Sequence, residues 1–152
     1  MWLEPEEMSQ WAYQYCRDVK DRPEVRKNIT DSYWSYWYCL DLEDKPEIRK
    51  FITDSIWAYL YCKNIKDRPE VRKYITESDY AYLYCMDVKD RPEIRKLITD
   101  SYPAYFYCTG IKDDPEVRKY ITDKGLLKDY DEFSNYKGKI VKSLNINIGE
   151  KK

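Results

Sequence analysis

The apolar positions of this chain fall first with a helical period and then with a much longer one. Between residues 55 and 65, Trp57, Ala58, Tyr61, Cys62 and Ile65 lie at i, i+1, i+4, i+5 and i+8. That spacing makes one broad apolar helix face. Asp54 precedes the stripe and fits an N-cap, since its side-chain oxygen can accept an orphan N–H of the first turn. Asp31, Glu77 and Asp100 hold the equivalent place. After a polar break, "DRPE" at 67–70 opens a second element. Asp67 and Glu70 have capping-box spacing, and Pro69 loses no helical hydrogen bond in a first turn. Val71 and Ile75, at i and i+4, turn to the core. The pattern predicts a hairpin of one helix of about nine residues and one of about seven.

The hairpin recurs. "YCRDVKDRPEVRK" at 15–27 returns four times with a few substitutions in each copy, and its cysteine falls at 16, 39, 62, 85 and 108, a constant step of 23. The repeats run 9–31, 32–54, 55–77, 78–100 and 101–123. A fixed step of this size means stacked supersecondary units. Helices this short are not stable alone, so each hairpin must bury its face on its neighbours. The predicted fold is all-α: a right-handed-type α-solenoid of five 23-residue helical-hairpin repeats with a C-terminal capping helix.

The ends fit that reading. In the first repeat Gln14 and Asn28 replace the apolar columns Trp37, Leu60, Leu83, Phe106 and Phe51, Tyr74, Leu97, Tyr120, as a solvent-facing end should. Its first helix can start early, at Pro5. After the solenoid (1–123), Leu126, Leu127 and Tyr130 continue an apolar face while Lys128 and Asp131 interrupt it, which predicts a capping helix over 124–136. In the tail, 137–152, Leu144, Ile146 and Ile148 alternate with Asn145 and Asn147, the period of a strand. Ile140, Val141, Leu144 and Ile148 also suit a helix face, and a terminal tail can be disordered. The favoured expectation is a strand that pairs with a partner or a second copy, giving a homodimer.

Composition narrows the function classes. Lys plus Arg number 27 and Asp plus Glu 28, a formal net charge of −1, which gives no general attraction to nucleic acid. No apolar run is long enough for a membrane span, and the acidic "MWLEPEEMSQ" start predicts no signal peptide. Five cysteines in one column do not form a disulfide framework. Neighbouring helices lie about 8–10 Å apart, too far for bridging. They read as reduced core thiols in a cytoplasmic protein. With no His and no grouped ligands, no metal or other cofactor is expected. The absence of an imidazole base, a Gly-rich phosphate loop and a nucleophile motif argues against an enzyme.

Three sets of columns could bind. The Arg-Lys pairs, among them Arg49-Lys50, Arg72-Lys73 and Arg95-Lys96, could track phosphates. They also sit late in their short helices, where cations complement the dipole, and within reach of Asp partners. The tyrosine ladders Tyr13–Tyr105 and Tyr15–Tyr107 could stack bases, but invariant aromatic columns suit a core with hydrogen-bonded hydroxyls better. The columns that vary are Gln10, Tyr33, Ile56, Asp79, Tyr102 and Arg17, Leu40, Lys63, Met86, Thr109. They lie opposite the packed stripe, where repeat proteins place ligand contacts. Tyr33, Ile56, Asp79, Tyr102, Leu40, Lys63 and Met86 are therefore the candidate protein-binding residues. The leading expectation is a protein-interaction module, an adaptor or inhibitor. The alternatives are a nucleic-acid binder using Arg49, Lys50, Arg72, Lys73, Arg95 and Lys96, and a self-assembling structural protein.

The cadence "WAYQYC", "WAYLYC" with "RPEVRK" resembles short tandem repeats of the form WAYxYA…PEAE in phage and bacterial proteins of unassigned role. The likeness covers residues 9–123 and departs in having Cys for Ala and Arg-Lys in place of further acidic residues. It implies a short-helix solenoid and a mobile-element origin, with a phage-encoded protein acting in the host cytoplasm. It implies no ligand.

Overall fold

The computed structural model describes residues 3–149. Among these the protein is all-α, with eleven helices in a regular long–short alternation and no strand. The long helices are α1 (Pro5–Asp18), α3 (Ser32–Asp41), α5 (Ser55–Asn64), α7 (Ser78–Asp87) and α9 (Ser101–Gly110). The short ones are α2 (Pro23–Arg26), α4 (Pro46–Arg49), α6 (Pro69–Arg72), α8 (Pro92–Arg95) and α10 (Pro115–Arg118). α11 (Lys124–Gly149) closes the chain. No described helix is long and apolar enough to cross a membrane. The chain forms two compact units, Met1–Leu97 and Ile98–Lys152.

In the first unit α1 packs on α3, α3 on α5 and α5 on α7, and each long helix contacts the short one that follows it. The core is a set of columns. Tyr38, Tyr61 and Tyr84 are fully buried, as are Ile48 and Val71 in the short helices and Ile29, Ile52 and Ile75 late in their repeats. Ala12, Ala58 and Ala81 are fully buried. The cysteine column is buried and unpaired. Burial pushes the Cys39, Cys62 and Cys85 thiols up to about 12, so they are inert hydrophobes at neutral pH.

The second half of each repeat is shorter than its pattern suggests. It is one α-turn of four residues, Pro69–Arg72 in the third repeat. The chain then tightens, with Tyr74 N–H donating to the Val71 carbonyl and Ile75 N–H to that of Arg72. These i→i−3 bonds belong to a 3₁₀ turn, which ends a helix early. The capping-box reading also changes. The N-cap of α6 is Arg68, not Asp67, and it makes no side-chain cap bond. Asp67 is occupied elsewhere. Asp31 caps its helix, accepting from Trp34 N–H at 3.0 Å, whereas Asp54 and Glu77 hold the N-cap position without a side-chain cap bond; α1 starts at Pro5.

What the short turns lack in helical bonding is made good by polar rungs. Asp67 accepts from Arg72 of its own repeat at 2.6 Å and, in the next, from the Tyr84 hydroxyl and Arg91, both at 2.9 Å. Asp44 binds Arg49 at 2.8 Å and Arg68 at 3.0 Å. A second rung joins the long helices, where the Tyr13 hydroxyl donates to Asp41 and Tyr59 to Asp87. A third is formed by the serines that open α3 and α5. Ser32 Oγ accepts from the N–H groups of Thr53 and Asp54, and Ser55 Oγ from those of Thr76 and Glu77, at 2.9–3.2 Å. Each serine thus ties the last turn of its repeat back to its first.

Repeat 2 departs from this scheme twice. Lys45 stands where Arg68 and Arg91 stand later, and it pairs with Glu43. Asp21 Oδ1 is left buried without a partner. Ser35 occupies the alanine column, and its hydroxyl too is buried and unpartnered. A buried unsatisfied polar group costs about 1–3 kcal/mol. Lys45→Arg and Ser35→Ala are each therefore expected to stabilise the protein by about 1 kcal/mol, read as a rise in the urea midpoint. An unchanged midpoint in both would mean that these groups are hydrated.

In the second unit Ser101 repeats the serine tie to Thr122 and Asp123 N–H at 2.9 and 3.0 Å. α11 packs on α9, and its Tyr130 is buried beside Arg118. The helix does not stop at 136 but runs to Gly149. The expected strand is therefore absent among the described residues, and with it the basis for a strand-paired homodimer; residues 150–152 lie outside them. A lone strand leaves its backbone groups unpaired, whereas a helix bonds them internally.

Candidate functional site

The two basic ladders have different fates. The arginines are turned inward. Arg49 is 9 % exposed; it meets Asp44 and, in the next repeat, Glu70 at 3.4 Å. Arg72 meets Asp67 and lies 3.9 Å from Glu93. Arg95 binds Asp90 through two nitrogens at 2.8 and 2.9 Å. An arginine held by a carboxylate in its own fold is not available to release counterions from a phosphate. The lysines Lys50, Lys73 and Lys96 are exposed. The ammonium groups of Lys50 and Lys73 each lie 4.9 Å from the ring centroid of the next residue, Phe51 and Tyr74.

The varied columns lie at the surface. Tyr33, Leu40, Met86 and Tyr102 are exposed large apolar side chains, Asp79 and Lys63 are exposed, and Ile56 is half-buried. Lys63 also serves the framework, bonding Asp87 at 2.8 Å and the Tyr59 hydroxyl at 3.2 Å. Met86 sulfur accepts from the Tyr82 hydroxyl at 3.3 Å. Tyr33 and Leu40 lie two turns apart on α3, and Tyr33 is at the edge of a ring cluster. Its ring meets Trp34 at 4.6 Å and Trp57 at 4.8 Å between centroids, both edge-on.

That cluster borders a hollow of about 320 Å³ between α1 and α3, lined by Tyr13, Arg17, Tyr33, Trp34, Trp37 and Asp41. The helical period assembles it: Tyr13 and Arg17 are i, i+4 on α1, while Trp34, Trp37 and Asp41 are i, i+3, i+7 on α3. Tyr13 and Trp34 face each other at 5.2 Å. Arg17 is held by both oxygens of Asp18, at 2.6 and 2.8 Å, and its guanidinium lies 5.2 Å from the Tyr13 ring centroid. Burial and the bond to Asp41 raise the Tyr13 pKa, so its hydroxyl stays protonated and donating at neutral pH. Trp34 and Trp37 were not among the sequence-derived candidates. A signal existed: three of the five tryptophans fall within 34–57. Compared with known proteins, the chain matches no family model, no curated protein and no solved structure.

Proposed function

We propose that the protein is an interaction module that binds a protein partner through the exposed face of its long helices, centred on Tyr33 and Leu40. The observation that carries this reading is a division of labour between positions. The repeated tyrosine, cysteine and arginine columns are mostly buried or bonded within the framework, with the repeated lysines an exposed exception, whereas the varied columns are largely exposed and at Tyr33, Leu40, Met86 and Tyr102 hold large apolar side chains. Surface aromatics grouped this closely are typical anchors of protein interfaces. Five buried, unpaired thiols support a reducing, cytoplasmic setting, the host cytoplasm if a phage encodes the chain. An adaptor or inhibitor fits a surface that carries recognition without a reaction centre. The nucleic-acid reading is weaker because the arginine half of its track is engaged inside the protein.

Tyr33→Ser combined with Leu40→Ser is expected to weaken partner binding at least tenfold while leaving helicity unchanged, since anchor residues each carry about 2 kcal/mol or more. Lys50→Ala with Lys73→Ala is expected to leave it within about twofold, as rim charges do. The opposite ranking in a calorimetric titration would move the interface to the lysine ladder.

A further inference from the structure

The hollow between α1 and α3 has walls that no other junction in Met1–Leu97 repeats. At the next two junctions the positions of Trp34, Trp37 and Asp41 hold Trp57, Leu60, Asn64 and then Tyr80, Leu83, Asp87. Only the first combines two indoles with a carboxylate. The rings of Tyr13, Tyr33, Trp34 and Trp37 offer π faces and edges around a space open to solvent. A weakly hydrated cation is attracted to such faces by the ring quadrupole, most strongly by indole. The volume, about 320 Å³, is at the lower end of ligand pockets and suits the end of one side chain.

Charge points the same way. Arg17 brings one positive charge, but Asp18 grips it bidentately. Asp41 is the remaining charged group on the wall. It is exposed and accepts only one neutral donor, the Tyr13 hydroxyl, from the wall. The two charged side chains of the wall, Arg17 and Asp41, balance formally, and Asp18, bonded to Arg17 from outside the lining, brings the local sum to one negative charge. The position of Arg17 shows that the Tyr13 face takes a guanidinium within this fold.

We infer that this hollow binds a weakly hydrated organic cation, the guanidinium of an arginine or the methylated ammonium of a lysine presented by the protein partner. The inference rests on the proposed binding face and names the chemistry recognised there. Asp41 supplies the countercharge, Trp34 and Trp37 the π faces, and Arg17 a like charge that limits affinity.

The test uses the isolated protein and a matched probe pair: choline, and its neutral isostere 3,3-dimethyl-1-butanol. Indole N–H signals of Trp34 and Trp37, assigned with Trp→Phe variants, are followed by NMR. Choline is expected to shift both, and the isostere to bind about tenfold more weakly. Acetyl-arginine amide and acetyl-trimethyllysine amide should shift the same signals. Asp41→Asn is expected to weaken choline about threefold or more and Arg17→Gln to strengthen it. Equal response to the isostere would make the hollow merely apolar and overturn the inference, as would no shift with either probe. Because no partner is present, that failure leaves the Tyr33 and Leu40 result to stand or fall separately.

Discussion

Asp67→Ala is expected to destabilise the protein by about 3 kcal/mol, the lower end of the range for breaking a buried charge network, because this one is only partly buried. The carboxylate is the meeting point of two repeats, bonded to Arg72, Tyr84 and Arg91. Without it, a guanidinium only 11 % exposed and a fully buried phenol lose their acceptor. Asp67→Asn should lie between, since its amide oxygen still accepts. The same bonds set an acid limit. Burial pushes the Asp67 carboxyl up, but hydrogen bonds from Arg72, Tyr84 and Arg91 outweigh it and hold the group below the ordinary value. Asp21 and Asp44 are lowered in the same way. The unfolded chain, with aspartates near about 3.9, then binds protons first. Stability from these groups is complete above that value and is lost as the pH falls through the lower folded values. With no histidine in the chain, the urea midpoint should be nearly flat between about pH 8 and 5 and drop below about pH 4. The drop should shrink in Asp67→Asn. A loss under 1 kcal/mol in Asp67→Ala would mean that water replaces the carboxylate at little cost.

Ser55→Ala is the second large effect, about 2–4 kcal/mol, because two backbone N–H groups lose their shared acceptor at about 1–3 kcal/mol each. Alanine is the better helix former, so propensity alone would make this substitution stabilising. A loss therefore reports the tie between the ends of the repeat. Denaturant melts of Ser55→Ala beside Thr76→Ala, whose side chain is exposed, separate the two effects. Only the serine variant should fall.

The architecture was readable because a strict step of 23 leaves little freedom: the helical stripe of 57–65 and the Pro at 69 could only form stacked hairpins. What misled was chemistry with two uses. Asp67 precedes Pro69 at cap spacing, yet its carboxylate is drawn to three donors, two of them one repeat away and invisible in a local window. Ser55 reads as an ordinary residue of a first turn, although its recurrence at 9, 32, 55, 78 and 101 was the signal for a structural bond. Ile140 to Ile148 satisfies both the strand and the helix period, and backbone self-bonding decides for the helix. At the candidate site, Tyr33 and Leu40 were found because they vary. Trp34 and Trp37 were not, because each belongs to a column whose other members read as core or end-cap, and their joint hollow exists only where α1 meets α3.

The most direct measurement is site-specific photocrosslinking in extract of the source cells, with a benzophenone side chain placed at position 40 or position 73 of the full chain. Partner capture through the varied face predicts a discrete protein adduct from position 40, suppressed by excess unlabelled protein but not by excess Tyr33→Ser, Leu40→Ser protein, and no adduct from position 73. A competable adduct from position 73 and none from position 40, or adducts to nucleic acid, would contradict it.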